Sequence, residues 1–99
     1  MNFDELCADF SRRKPTVEVG EVPFITIEWK GKYVSSNDLL RTYLNSNKIP
    51  YLNDFNGTVW FLYDGDWTRT KVHYDRESNM AHFKRCIFEN DRGKAAEKR

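Results

Sequence analysis

The spacing of apolar residues divides the first half of the chain into a helix, a strand hairpin and a second helix. Near the start, apolar residues recur at the i, i+3, i+4 and i+7 spacing that places them on one side of a helix: Phe3, Leu6, Cys7 and Phe10. Asn2 is a suitable N-cap, and Pro15 ends the pattern. This stripe predicts an N-terminal helix whose apolar side packs into the core, with Cys7 as a small buried hydrophobe.

Alternation of apolar and polar residues follows this helix and predicts strands. Residues 24–30 alternate in the way that is typical of a half-buried strand, and residues 16–19 predict a shorter strand before it. Gly31 marks a turn, and residues 32–34 begin a return strand. The segment therefore predicts a β-hairpin.

A second helical pattern begins after the hairpin. Ser35 or Ser36 is its N-cap, and the helix ends in residues 45–47, before Pro50. Its predicted apolar side consists of Leu39, Leu40, Tyr43 and Leu44. Residues 51–57 are rich in Asn and Asp, so they predict a loop.

Residues 58–88 alternate with a period of two and predict three antiparallel strands. Asp64 and Gly65 are the residues that a two-residue type I′ hairpin turn prefers, because both of its central positions need a positive φ. This turn places Tyr63 opposite Asp66, whereas the alternative turn at Gly65 and Asp66 places Trp60 opposite Lys71. A four-residue loop at 75–78 joins the second and third strands. The cross-strand partners that follow are Lys71 with His82 and Arg69 with Lys84.

The period of two also assigns the side chains of these strands to two faces. The apolar face, which predicts the core side, comprises Val59, Phe61, Tyr63, Thr68, Thr70, Val72, Tyr74, Ala81, Phe83 and Ile87. The opposite face is aromatic and basic, and it comprises Trp60, Trp67, Arg69, Lys71, His73, His82 and Lys84. Arg85 falls on the apolar face, so we expect it near the end of the sheet or at a bulge.

These elements together predict one α+β domain over residues 1–90. Its order is helix, β-hairpin, helix and three-stranded meander, with the N-terminal and central helices packed on one face of an antiparallel sheet. Residues 91–99 contain no large apolar side chain and predict a disordered basic tail.

Composition agrees with a single globular domain. The chain has 99 residues, of which 15% are aromatic and 31% are charged, and its formal net charge is +1. The charges are unevenly distributed, because residues 1–66 hold 10 acids against 7 Lys and Arg, whereas residues 67–99 hold 5 acids against 9. The C-terminal third is therefore the basic part of the molecule, and it is the part most suited to an acidic partner.

Targeting signals and cysteine usage predict a cytoplasmic protein. The first segment carries acids where a signal peptide has basic residues, and no apolar run approaches the length of a membrane span. Cys7 and Cys86 are far apart in sequence, so we expect reduced thiols rather than a disulfide or a metal-binding pair.

The aromatic and basic face predicts a contact surface for a partner. Trp and Arg are enriched where interfaces gain most of their energy, and Arg69 opposite Lys84 places like charges together unless an acidic partner docks there. Tyr51, Phe55 and Trp67 are the aromatic residues that we expect to remain near the surface. We therefore expect a non-enzymatic binding protein that inhibits, links or regulates another protein. Its composition is also typical of small accessory proteins of phages and mobile elements.

Two alternatives give the same face another role. The face is either simply solvated or covered by one of the helices, which would make Trp60 and Trp67 core residues. Otherwise it binds single-stranded nucleic acid or RNA, with the indoles as stacking platforms and the cations on the phosphates. The chain has no sequence signature of an RNA-recognition domain, a zinc finger or a helix-turn-helix.

Catalytic and metal-dependent functions have weaker support in the sequence. His73 and His82 with Lys71 and Arg69 resemble the acid, base and cation that a metal-free ribonuclease needs, but two histidines on one face also arise by chance. Asp64 and Asp66 flank the turn residue Gly65, so we interpret them as turn residues rather than as metal ligands. Cys86 has cationic neighbours in Lys84 and Arg85 but no obvious partner His, so we interpret it as structural or incidental. We therefore predict no enzyme activity, cofactor or metal.

Overall fold

The computed structural model describes residues 1–29 and 34–89. Within them lie two helices, α1 (Phe3–Arg13) and α2 (Ser36–Ser46). The six strands are β1 (Glu18–Glu28), β2 (Tyr51–Asn53), β3 (Val59–Tyr63), β4 (Asp66–Thr68), β5 (Thr70–Asp75) and β6 (Met80–Phe88). The predicted α+β class is confirmed.

Both helices begin where the sequence predicts, because a polar side chain accepts a hydrogen bond from their first turn. Asn2 caps α1 and forms a reciprocal capping box with Glu5, with Asn2 Oδ1 accepting from the Glu5 backbone at 2.8 Å. Ser35 caps α2 by accepting from the backbone N–H of Asp38 at 3.1 Å.

The strands form two antiparallel sheets of three strands each. The first has the order β1-β6-β5, and the second has the order β2-β3-β4. The predicted strands at 16–19 and 24–30 are parts of one long strand, β1, which bulges between Glu18 and Gly20 and between Pro23 and Ile25. Three residues of the predicted loop at 51–57 form the short strand β2.

The predicted second strand of the meander is divided at Arg69. Residues before it form β4 and pair with β3, whereas residues after it form β5 and pair with β6. The Arg69 carbonyl still accepts a hydrogen bond from the Cys86 backbone at 2.9 Å, so the two sheets stay connected at this point. The meander is therefore shared between two sheets rather than forming one.

The two hairpin turns test the predicted register. Asp64 and Gly65 have φ of 52° and 85°, and Tyr63 pairs with Asp66, as the type I′ prediction requires. The second turn lies one residue later than predicted. Its register is therefore shifted by two residues, and the observed cross-strand partners are Lys71 with Lys84 and His73 with His82. The shift of two leaves every side chain on its predicted face.

The apolar residues form two clusters, and each helix belongs to a different one. The first cluster contains Leu6, Phe10, Leu52, Trp60, Trp67, Cys86 and Phe88. The second contains Leu40, Leu44, Val59, Phe61, Ala81 and Phe83. The prediction that both helices pack on one face is wrong, because successive residues of a strand point to opposite sides: Trp60 joins α1 and Phe61 joins α2.

Strand β6 contributes to both clusters. Ala81 and Phe83 belong to the second cluster, whereas Cys86 and Phe88, further along the strand, belong to the first. Arg85 lies between them, half-buried, with its guanidinium 5.0 Å from the centre of the Tyr63 ring. At its far end β6 is buried on both faces, because Ile87 of the predicted apolar face is buried as well as Cys86 and Phe88.

Some predictions fall outside the described residues. The turn at Gly31 and most of the return strand at 32–34 lie there, and so does the tail at 91–99. Val34, the one described residue of the return strand, is not in a strand.

Candidate functional site

Helix α1 covers both tryptophans of the predicted contact face. Trp60 is 5% exposed and Trp67 is 2% exposed. The Phe10 ring packs against both indoles, with ring centres 5.2 Å and 5.0 Å away. Trp67 also donates its Nε1–H to Asp9 Oδ2 at 2.8 Å. These two residues therefore belong to the core, and the aromatic part of the predicted surface is not available to a partner.

Arg69 sits at the edge of this core rather than in solvent. Its guanidinium carbon lies 5.5 Å from the centre of the Trp60 ring and 5.6 Å from that of Phe88. Its Nη2 donates to Glu18 Oε1 at 3.2 Å. The buried Arg69 Nε has no hydrogen-bond partner among the described residues. The Arg69 guanidinium thus packs against two aromatic rings of the first cluster.

The basic residues of the face are paired with acids from β1. Glu18 accepts from Arg69 and also from Lys71 Nζ, which lies 2.8 Å from Glu18 Oε2. Lys71 Nζ lies 3.4 Å from Glu21 Oε2, and Lys84 Nζ lies 3.5 Å from Glu21 Oε1. The charges of these five side chains alternate in sign. The two glutamates therefore reduce the repulsion between Lys71 and Lys84, which lie on adjacent strands. Hydrogen bonding by Lys71 lowers the pKa of Glu18, although partial burial opposes the shift.

His73 and His82 form a row with Thr26 across the first sheet. The two histidines are cross-strand partners, and Thr26 is the partner of His82 on its other side. The imidazole centres are 6.5 Å apart with an angle of 19° between the rings, and 3.1 Å separates Thr26 Oγ1 from His82 Nδ1. This row and Lys84 line a shallow cleft of about 450 Å³ beside the bulge at Pro23. The structure therefore brings His73, His82 and Lys84 of the predicted face together in one cleft.

A tight turn between β2 and β3 presents Phe55 to solvent. Asp54 Oδ1 accepts from the backbone N–H groups of Asn56 and Thr58, both at 2.9 Å, and Asp54 Oδ2 accepts from Trp60 Nε1 at 3.0 Å. Partial burial raises the pKa of Asp54, but these hydrogen bonds outweigh it and the net shift is downward. Phe55 itself is 96% exposed. The turn is therefore fixed at its base while its apolar side chain is left in water.

A second cleft lies beside Phe55, between this turn and α1. It has a volume of about 450 Å³ and is lined by Cys7, Phe10, Ser11, Lys14, Leu52, Asn53, Asp54 and Phe55. Lys14 Nζ lies 5.7 Å from the centre of the Phe10 ring. One helical turn before Cys7, Phe3 is 66% exposed, so its predicted burial in the core is wrong. We call Phe3, Cys7, Lys14, Leu52 and Phe55 the Phe55 surface.

The Phe55 surface lies outside the predicted contact face. The sequence does mark Phe55, because an apolar residue inside the turn-forming stretch from Asp54 to Gly57 has no strand or helix in which to be buried. The covering of Trp60 and Trp67 carries no such mark, since alternation shows which residues share a face but not what packs on it.

In the part of the chain that the structure describes, the cysteines, metal-binding groups and helices indicate no other site. Cys7 and Cys86 are both free, and burial together with Glu18 raises the pKa of the Cys86 thiol, which makes it less reactive. Across residues 1–29 and 34–89, no three His, Cys, Asp or Glu side chains are grouped to hold a metal ion. None of the helices in that part of the chain is long and apolar enough to cross a membrane.

Comparison of the chain with protein-family models, with curated proteins and with solved structures finds no match. Function must therefore be inferred from the surfaces themselves.

Proposed function

We propose that the protein is a cytoplasmic, non-enzymatic binding protein that inhibits, links or regulates another protein, and that it does so through the Phe55 surface. The observation that supports this most is the 96% exposure of Phe55 on a turn that Asp54 holds in place. Holding a large apolar side chain in water costs solvation free energy that burial in a partner recovers. A fixed turn also loses little conformational freedom on binding.

The surroundings of Phe55 suit a protein partner. An aromatic side chain that fills a pocket is typical of the few interface residues that dominate binding energy. The neighbouring cleft offers an apolar floor from Phe10 and Leu52, with Lys14 on its rim. We therefore expect a partner with an apolar pocket for Phe55 and an acidic group that faces Lys14. The two unpaired cysteines support a reducing compartment.

The burial of Trp60 and Trp67 weakens the hypothesis of nucleic-acid binding. The covered indoles cannot stack on bases, and three of the cations on the predicted face are paired with Glu18 and Glu21. Nucleic-acid binding remains an alternative that the experiment below separates from the proposal. An origin in a phage or mobile element remains a hypothesis from composition alone.

Photo-crosslinking tests the proposed surface. A photoreactive phenylalanine analogue at position 55 is expected to crosslink one defined protein in a lysate of the source organism, and nuclease treatment should not change that product. The same analogue at Val19, which is 51% exposed on β1, is the matched control. Pull-down with the unmodified protein should recover the same partner, and Phe55→Ser should abolish that recovery without lowering the melting temperature. Equal crosslinking from both positions, or a product lost on nuclease treatment, would contradict the proposal.

A further inference from the structure

The cleft beside the Pro23 bulge brings polar side chains together next to the apolar Phe24, Ile25 and Phe83. His73, His82 and Thr26 form one row across the three strands, and Lys84 lines the same cleft. The hydrogen bond between Thr26 and His82 Nδ1 holds that imidazole in place. The second ring nitrogen of His82 does not take part in this bond and remains for a ligand.

We propose that this cleft binds a single phosphate group, either as the free ion or as part of a small phosphorylated molecule. A phosphate accepts several hydrogen bonds at once, and imidazole N–H and ammonium groups are suitable donors for it. Lys84 Nζ is 3.5 Å from Glu21, a looser pair than the 2.8 Å between Lys71 and Glu18. The Lys84 ammonium therefore keeps donors for a ligand.

The charge around the histidines favours an anion over a metal ion. Two imidazoles alone would also suit a transition metal. However, Lys84 lines the same cleft, and its ammonium would repel a cation. No third metal-binding side chain joins His73 and His82 in the described part of the chain. The donor set therefore fits phosphate better than zinc.

Acidic residues on both sides of the row limit the ligand to a compact one. On one side, Glu21 follows Lys84 along the face. On the other side, the next row across the sheet contains Glu28 and Asp75, each a cross-strand partner of Met80. A long polyanion lying across this face would meet these carboxylates, whereas one phosphate group fits between them. This part of the predicted face therefore suits a compact anion rather than a strand of nucleic acid.

Titration with inorganic phosphate, followed by the imidazole NMR signals, tests the site. The chain has 2 histidines, so both expected probes lie in the cleft. Both signals should shift and saturate together. Lys84→Ala should weaken binding by about tenfold, because it removes one donor to a charged ligand, and Thr26→Val should weaken it because the His82 imidazole loses the hydrogen bond that orients it. Arg76→Ala, an exposed cation in the nearby turn, should change it by less than about twofold.

Further titrations identify the source of the phosphate. A nucleoside monophosphate that binds at least as tightly as inorganic phosphate, with the same dependence on Lys84, would indicate a small phosphorylated molecule. Tighter binding of a short single-stranded oligonucleotide, a response to Zn²⁺ but not to phosphate, or an equal response in all variants would each overturn the proposal. The outcome is independent of the Phe55 surface, because Phe55→Ser leaves the cleft intact and should not alter phosphate binding.

Discussion

At the scale of single residues, Asp9 connects α1 to the core. Arg13 donates to its carboxylate from Nε and Nη2, Trp67 donates from Nε1, and Arg12 pairs with it as well. Asp9→Ala would leave the buried Trp67 N–H unpaired, which costs about 1–3 kcal/mol of unfolding free energy. Urea denaturation at neutral pH measures this loss. Asp4→Ala, on the exposed side of the same helix, should cost less, and equal losses would contradict the role of Asp9.

The same carboxylate predicts a pH dependence. Hydrogen bonds from Arg13 and Trp67 hold the pKa of Asp9 well below its usual range, and they outweigh the opposing effect of burial. Because the folded-state pKa is depressed, the contribution of Asp9 is fully present above the ordinary Asp pKa of about 4 and is lost as pH falls below it. The difference in unfolding free energy between the parent and Asp9→Ala should therefore shrink between about pH 4 and pH 2. A constant difference would contradict the assignment.

Trp67 shows what alternation along the sequence cannot predict. The pattern places Trp67 and His73 on one face, yet Trp67 is buried under α1 and His73 is exposed. Trp67→Ala should therefore destabilise the fold by about 3–5 kcal/mol, whereas His73→Ala should leave the melting temperature almost unchanged. Thermal melting followed by circular dichroism distinguishes these outcomes. If both variants melt like the parent, α1 does not cover the indole in solution.

At the scale of elements, the helices and the type I′ turn were predictable because their signals are local. Capping residues, helical spacing and the Asp-Gly pair act within a few positions of one another. The division of a strand at Arg69 was not predictable, because apolar and polar residues alternate without interruption across it. Strand β2 was missed because three residues inside a polar stretch carry too short a pattern.

The turn that presents Phe55 gives a prediction at the same scale. Gly57 has a φ of 85°, and an added Cβ would meet nothing within 4 Å, so backbone strain is the main cost of a substitution there. Gly57→Ala should cost about 1–2 kcal/mol. Gly57→Asn should cost less, since Asn tolerates this backbone region better. Gly20→Ala, also in open space but without a positive φ, is the control for denaturant unfolding. Equal effects at the two glycines would show that the turn is not held as described.

At the scale of the whole molecule, the sequence predicts which strand residues share an apolar face but not how the buried residues are partitioned into clusters. The partition into two clusters depends on which side of β3 each helix takes, and α1 and α2 take opposite sides. Strand β6 joins the clusters because Phe83 lies in one and Phe88 in the other. A substitution that disrupts either cluster should therefore also disturb β6, which contributes residues to the other cluster.

This coupling predicts a single cooperative transition. In a Trp29→Phe background the two remaining indoles are Trp60 and Trp67, so fluorescence reports the first cluster alone. Leu44→Ala removes a fully buried side chain from the second cluster, at a cost of about 2–5 kcal/mol. The urea midpoints by fluorescence and by circular dichroism should fall together, and the milder Ile27→Val should shift both by a smaller, equal amount. A fluorescence midpoint that stays unchanged while the circular dichroism midpoint falls would mean that the two sheets unfold independently, and that β6 does not couple them.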